Sequence, residues 1–206
     1  VAKLVEPDEG PRSKRAAILA AAIKNFGKNG YDATKWSTIA DQVGIGQTAL
    51  YHYFESKAHC LLTIMSIELQ RSHEMFLKAT AGESDPMAAL RAAVRAAYAV
   101  SERDVLQMRT LQNNIALLAV ERGSKREETE RLAARELVHQ IEESWTGLLE
   151  RGMDAGVFVR RDPRTLALSM LGMIVSTWRW YRPRGAVTLT DIGDLIEDSC
   201  VRMVAP

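Results

Sequence analysis

The sequence is short of several things, and each shortage excludes something. It has two cysteines in 206 residues, Cys60 and Cys200, far apart and outside any CxxC pair. That speaks against a disulfide framework and for two reduced thiols in an intracellular protein. No apolar run approaches the roughly 18 residues that a membrane span needs, and the N-terminus lacks a signal-peptide core. A soluble, cytoplasmic protein with no membrane partner is expected. An excess of one charge is missing too: 27 Lys and Arg stand against 26 Asp and Glu, a net charge of +1. A sequence-independent architectural DNA binder needs a broadly basic surface, so that function is disfavoured. The four histidines are scattered, and no Ser–His–Asp, HExxH or phosphate-loop pattern occurs. Catalysis by acid and base needs titratable groups that converge, so a helical-bundle enzyme is set aside. His59, Cys60 and His73 have a spacing that suits no tetrahedral metal motif; neither a metal nor a cofactor is expected.

What is present is a chain with 47% hydrophobic residues, ample for a real core. Its basic charge is unevenly placed. From Arg12 to Lys57 there are seven basic residues against three acidic ones, a local charge of +4. The sign suits phosphate contact.

Residues 1–11 hold two prolines, one glycine and no apolar periodicity, and read as a loose arm. Ser13 is placed to cap a helix over 14–29, in which Ile18, Leu19, Ala22, Ile23 and Phe26 share one face. Lys14 and Arg15 oppose the dipole at its start; phosphate contact and plain solvation fit them about equally. Gly30 stands where a helix-ending glycine belongs. A second helix is expected over 36–43, with Ile39, Ala40 and Val43 as its apolar face, and Gly44 ends it. Two short helices crossing at about 90–120° need a small residue at the crossing and a permissive turn, which Ala40 and Gly44 supply. Ile45 reads as a buried plug. The third helix, 47–54, turns Leu50 and Phe54 inward. Gln47, Thr48, Tyr51 and His52 are left outward, with Tyr53 beside them. A solvated helix more often carries Glu and Lys; amides and hydroxyls are what reads base edges and phosphates.

The run from Arg15 to Leu61 resembles the N-terminal domain of the TetR family of transcriptional regulators. The shared points are Phe26, Gly30 and Tyr31, then Ile39–Ala40, Gly44 with Ile45, Leu50–Tyr51, and the closing Tyr53–Phe54–x–Ser56–Lys57. The match covers about a quarter of the chain, over many spaced positions. It implies an all-α fold of about nine helices. A helix-turn-helix domain over 12–57 would precede a ligand-binding and dimerisation bundle over 58–206. It implies contact with double-stranded DNA through Lys35, Ser37, Thr38, Gln47, Thr48, Ala49, Tyr51, His52 and Tyr53, with Lys57 as a phosphate clamp. The chain departs from the family pattern at the second helix. Lys35 replaces a small Ser or Thr, Trp36 a Val and Ser37 a frequent Arg, which shifts base reading towards the third helix.

Beyond Ser56, which is placed to cap, a long helix runs to about residue 80. Asp85–Pro86 caps and opens a fifth helix, 87–100. A sixth is read over 105–120, with Leu106, Leu111, Ile115 and Leu118 as core. Gln107, Arg109, Asn113 and Asn114 fit a pocket or solvent, with solvent preferred. A seventh helix over 124–153 has a densely charged first half, solvated or flanking an interface, and buries Leu137, Ile141, Trp145, Leu148 and Leu149 in its second. Gly156–Val157–Phe158 then docks apolar side chains. The eighth, 163–181, is apolar nearly all round. The ninth, 190–203, puts Ile192, Leu195, Ile196, Ser199, Cys200 and Met203 on one stripe. The last two helices are expected to form a homodimer seam.

The stretch from Trp178 to Pro183, followed by Gly185 and Thr188, is similar to the end of the eighth helix in a TetR branch linked to lipid and steroid catabolism. That likeness implies a small hydrophobic effector, an acyl-coenzyme A thioester, that releases a repressor from a palindromic operator. A drug-like compound controlling an efflux repressor is the alternative. The residues implied at the effector are Met108, Trp145, Met170, Met173, Trp178 and Arg179, with Arg182 beside them as a phosphate partner. The plainer reading is that Trp178 to Tyr181 close the dimer seam.

Overall fold

The computed structural model describes residues 11–205, which form nine α-helices and one 3₁₀ turn with no strand. The arm expected over 1–11 falls, but for Pro11, outside the described residues. The order is α1 (Pro11–Asn29), α2 (Trp36–Val43), α3 (Gln47–Tyr53), α4 (Lys57–Thr80), α5 (Pro86–Tyr98) and α6 (Glu102–Asn114), then a 3₁₀ turn (Ile115–Ala119), α7 (Lys125–Asp154), α8 (Pro163–Trp180) and α9 (Leu189–Val204).

Local chemistry sets most of these boundaries. Pro11 opens α1, because its missing N–H is one of the donors a first turn leaves unused. Ser13 therefore lies inside the helix and does not cap it. Gly44 ends α2 with φ 70°, a left-handed conformation that a side chain resists, and its N–H returns to the carbonyls of Ala40 and Asp41. Ser56, Asp85, Ser101, Ser124, Asp162 and Thr188 each accept a backbone N–H at the start of a later helix. At Ser101 and Thr188 the pairing is reciprocal, with Asp104 and Asp191 completing capping boxes.

Two apolar clusters follow. The first gathers Ile18, Phe26, Ile39, Leu50 and Phe54 around the first half of α4, with Leu111, Leu118 and Ala134 from later in the chain. The second gathers Phe76, Leu90, Trp145, Leu148, Met170, Trp178 and Cys200. α4 belongs to both and lies along α7. The head is also held by α1 against α6. A Cβ on Gly27 would stand 2.8 Å from the Leu106 carbonyl oxygen, so the two backbones approach more closely than any side chain allows. Between α5 and α9, the buried Glu197 accepts from Arg91 at 2.6 Å and from Arg95 at 2.5 Å. Burial alone would raise its carboxyl pKa, but the two guanidiniums outweigh that and hold it below the ordinary value.

Two apolar expectations fail. Ile115 is 39% exposed, whereas Leu195, 66% exposed on α9, lies open on the stripe expected at the dimer seam. The helix expected over 105–120 stops at Asn114, and the 3₁₀ turn rotates Ile115 out of register while keeping Leu118 buried. Ile45 is half buried rather than enclosed.

Candidate nucleic-acid interface and effector cavity

On α3 the short helix divides cleanly. Leu50 and Phe54 are fully enclosed, whereas Gln47, Thr48, Tyr51 and His52 are exposed. Ala49 and Tyr53 are half buried, and Tyr53 packs against the head's core. The starts of α2, α3 and α4 converge on an open polar trough of about 520 Å³. Lys35, Ser37, Gln47, Tyr51 and Lys57 line it together, with Asp32, Thr34, Trp36 and Ser56. Thr38, Thr48, Ala49, His52 and Tyr53 lie off its wall. Helix N-termini present unpaired N–H groups and a positive dipole end, so three of them around one basic trough favour an anion. Trp36 is buried there, and its indole Nε1–H finds no acceptor among the described residues.

Lys57 is more than a clamp waiting for phosphate. Its ammonium donates to the carbonyls of Tyr31 at 2.9 Å and Thr34 at 3.0 Å, and lies 4.2 Å from the Tyr31 ring centre. It thereby ties the turn before α2 to the start of α4. Arg15 places its guanidinium 4.9 Å from the centre of the Phe54 ring. His59 is buried beside the same ring, and its Nδ1 accepts the Glu55 N–H at 3.3 Å. His73 meets Ser144 at 2.9 Å. No group of three His, Cys, Asp or Glu among the described residues could hold a metal ion. Both cysteines are buried thiols; burial raises both pKa values, that of Cys200 to about 12.

The charged first half of α7 is not simply solvated. Ser56 caps α4 and also donates to Glu127 at 2.5 Å, while Ser124 donates to Glu55. Arg122 pairs with Glu127 at 3.0 Å, and its backbone N–H donates to Glu128. The buried Arg131 binds Glu128 and donates to the Leu118 carbonyl at 2.8 Å. Burial tends to raise the Glu127 pKa, but the bonds from Ser56 and Arg122 leave it lowered. The Arg131 bond takes Glu128 down to about 2. The start of α7 is thus latched to the junction between α3 and α4.

In the bundle lies a cavity of about 240 Å³. Its wall draws on α4 (Leu69, Met75, Phe76), α5 (Ala93, Ala97), α6 (Met108, Leu111, Gln112), α7 (Val138, Ile141, Glu142, Trp145) and α8 (Leu171, Ile174, Trp178), with Ser72, Ile115, Leu168 and Val175. Of the six residues expected at an effector, Met108, Trp145 and Trp178 are on this wall. Met170 is fully buried in the core but off the wall. Met173 is half buried and also off it, and Arg179 is exposed. Trp178 packs against Tyr98, with ring centres 5.5 Å apart, whereas Trp180 is 54% exposed. Arg182 donates to the carbonyls of Trp180 and Tyr181, both at 3.1 Å. Arg109 reaches the Trp178 and Tyr181 carbonyls. Both arginines cap the end of α8, and Arg109 is half buried with its pKa lowered by burial and by the charge of Arg182. Gln107 is buried. The solvent reading fails for these two because α6 packs against α1, α4 and α8.

Comparison with known families settles where this arrangement belongs. The model described as "Bacterial regulatory proteins, tetR family" matches residues 18–64. The model described as "Tetracyclin repressor-like, C-terminal domain" matches residues 83–204, more than half of the chain. The chain belongs to the TetR family. It is a DNA-binding transcriptional regulator of all-α fold. Its sequence is similar to the HTH-type transcriptional repressor KstR2 of Rhodococcus jostii, 29% identical over 187 residues that cover 89% of this chain and 87% of that protein. Among solved TetR folds, the ketosteroid transcriptional regulator KstR2 of Mycobacterium tuberculosis superposes with a TM-score of 0.79 at 22% identity, covering 96% of this chain and 97% of that one. AibR, solved with isovaleryl coenzyme A and operator DNA, superposes with a TM-score of 0.75 at 23% identity, covering 94% and 98%.

Proposed function

We propose that the protein is a cytoplasmic, homodimeric repressor, acting by binding and not by catalysis, that leaves a palindromic operator when an acyl-coenzyme A thioester enters the bundle cavity. Residues 12–57 serve as the reading head and 58–206 as the effector and dimer part. Gln47, Thr48, Ala49, Tyr51, His52 and Tyr53 meet the major groove. Lys35, Ser37, Thr38 and Lys57 hold the backbone. One head buries little DNA; two of them about 34–36 Å apart read two half-sites. The exposed Leu168, Gly172, Trp180 and Leu195 on α8 and α9 supply an apolar seam for the second copy.

The observation that carries the reading is that one helix serves both places. α4 begins at the trough with Lys57 and lines the cavity with Leu69 and Phe76. An effector that moves α4 moves the heads off their spacing without touching a base contact. The latch at the start of α7 gives a second connection, from the 3₁₀ turn at the cavity edge to Glu55 and Ser56. The Rhodococcus jostii relative is a repressor, which supports repression, and AibR, of the same fold, binds isovaleryl coenzyme A, which supports the effector class chosen. Within the cavity, Met108, Trp145 and Trp178 meet the acyl part; Met170 and Met173 back it, and Arg179 stands outside for the coenzyme A phosphates.

A mobility-shift assay on DNA flanking the gene tests this. Release is expected with long-chain or steroid acyl-coenzyme A and not with the free acids. No response to any thioester removes the reading.

A further inference from the structure

The cavity wall is apolar but for a few groups. Three of its side chains carry a hydroxyl, carboxamide or carboxylate: Ser72, Gln112 and Glu142. Two of these are engaged. Ser72 donates to the buried Glu68 at 3.3 Å, and Glu142 lies 3.5 Å from the Arg164 guanidinium. Gln112 has no hydrogen-bond partner among the described residues. Its neighbours on α6 behave differently: Thr110 donates to the Leu106 carbonyl at 2.8 Å and Asn114 to the Thr110 carbonyl at 2.7 Å. A half-buried amide on an apolar wall is unfavourable unless something pairs with it.

We infer that Gln112 is the polar anchor of the effector site, donating its amide N–H to a single carbonyl oxygen on an otherwise apolar ligand. Resting on the thioester reading above, that oxygen is the thioester carbonyl. A carboxamide suits it: it offers donors to a neutral oxygen and adds no charge to a low-dielectric wall. A site with one unpartnered donor on an apolar wall favours ligands that carry the matching acceptor. Gln112 also sits on the last turn of α6, three residues before the 3₁₀ turn that begins at Ile115. The ligand's polar grip therefore falls on the segment that leads to the α7 latch.

The test compares acyl-coenzyme A thioesters with S-alkyl-coenzyme A thioethers of the same chain, in butanoyl, octanoyl and hexadecanoyl lengths, by calorimetric titration of the full chain. The thioether keeps the shape and loses the carbonyl. Wild type is expected to bind the matching thioester about tenfold more tightly than its thioether, the worth of roughly one hydrogen bond. Gln112→Leu and the closer-fitting Gln112→Met should bind the two alike, and both should keep operator binding. Equal binding of thioester and thioether by wild type overturns the role of Gln112 and leaves the effector class standing. So does a preference that survives in both variants. Binding of none of these ligands by wild type overturns the effector class together with the anchor.

Discussion

The exposed face of α3 and the wall of the cavity are recognition surfaces built in opposite ways. The first is drawn from a seven-residue helix, Gln47–Tyr53, whose inward residues alternate with outward ones at helical spacing. The second is drawn from five helices and a turn, spread from Leu69 to Trp178. On α3, the same short sequence that makes the helix also chooses its outward chemistry. In the cavity, no local stretch carries the pattern, and the wall exists only once α4 to α8 have packed. The head is therefore sensitive to single residues that hold one helix, and the cavity to how long helices are aligned.

The contrast can be broken first at its apolar support. Phe54 is fully enclosed behind α3. Phe54→Ala should cost about 3–5 kcal/mol in urea unfolding and abolish operator binding, while a fold that tolerates it contradicts the head's packing. Next comes the face itself. Gln47→Ala should weaken operator binding by about 1–3 kcal/mol and relax base preference at one position. The melting temperature and acyl-coenzyme A affinity should stay as in wild type; a parallel loss in both would show that Gln47 is structural. Lys57→Ala sharpens the comparison, because Lys57 also holds Tyr31 and Thr34. It should weaken all DNA sequences alike, flatten the salt dependence by about one unit of slope, and lower stability by about 1 kcal/mol. An unchanged slope would confine Lys57 to its internal role.

Smaller effects belong to the latch between the two regions. Ser124→Ala with Glu127→Gln removes the Ser124–Glu55 bond and weakens the tie to Ser56. Operator affinity without effector should hardly change, whereas the thioester concentration for half release should shift severalfold, for a loss of about 0.5–1.5 kcal/mol per bond. The smallest effect is a pH dependence at Glu128. Its folded pKa of about 2 lies below the ordinary 4.5. A depressed carboxylate contributes stability above its unfolded pKa and loses it as the pH falls through the folded one. The stability gap between wild type and Glu128→Gln should be constant above pH ~5 and close towards pH ~2 in denaturation curves. A gap that persists at the lower pH would show that Arg131, and not the charge of Glu128, is what matters.

Much of the head is legible in the sequence itself. The bounds of α2, the division of α3, the Gly44 turn and the caps at Ser56 and Asp85 all follow from spacing and local hydrogen bonding. The bundle was legible as helices and not as a site. Apolar periodicity marks a helix face but does not say whether it meets core, cavity or water: Met170 went to core, Trp178 to the cavity and Leu195 to the surface. Long-range polar pairing was invisible as well. Arg109 capping α8 and Glu127 holding Ser56 join residues about seventy apart in the chain. Gln112 carries no sequence signal beyond being polar beside Leu111. Its distinction is the lack of a partner, which only packing reveals.

The measurement closest to the central claim is the affinity of an acyl-coenzyme A thioester for the free protein and for its operator complex, taken together with operator affinity in the presence and absence of that thioester. If cavity and head are coupled through α4 and the α7 latch, the thioester must bind the operator complex more weakly, and by the same factor as it weakens operator binding. A thioester that binds free protein and operator complex equally well would contradict the account.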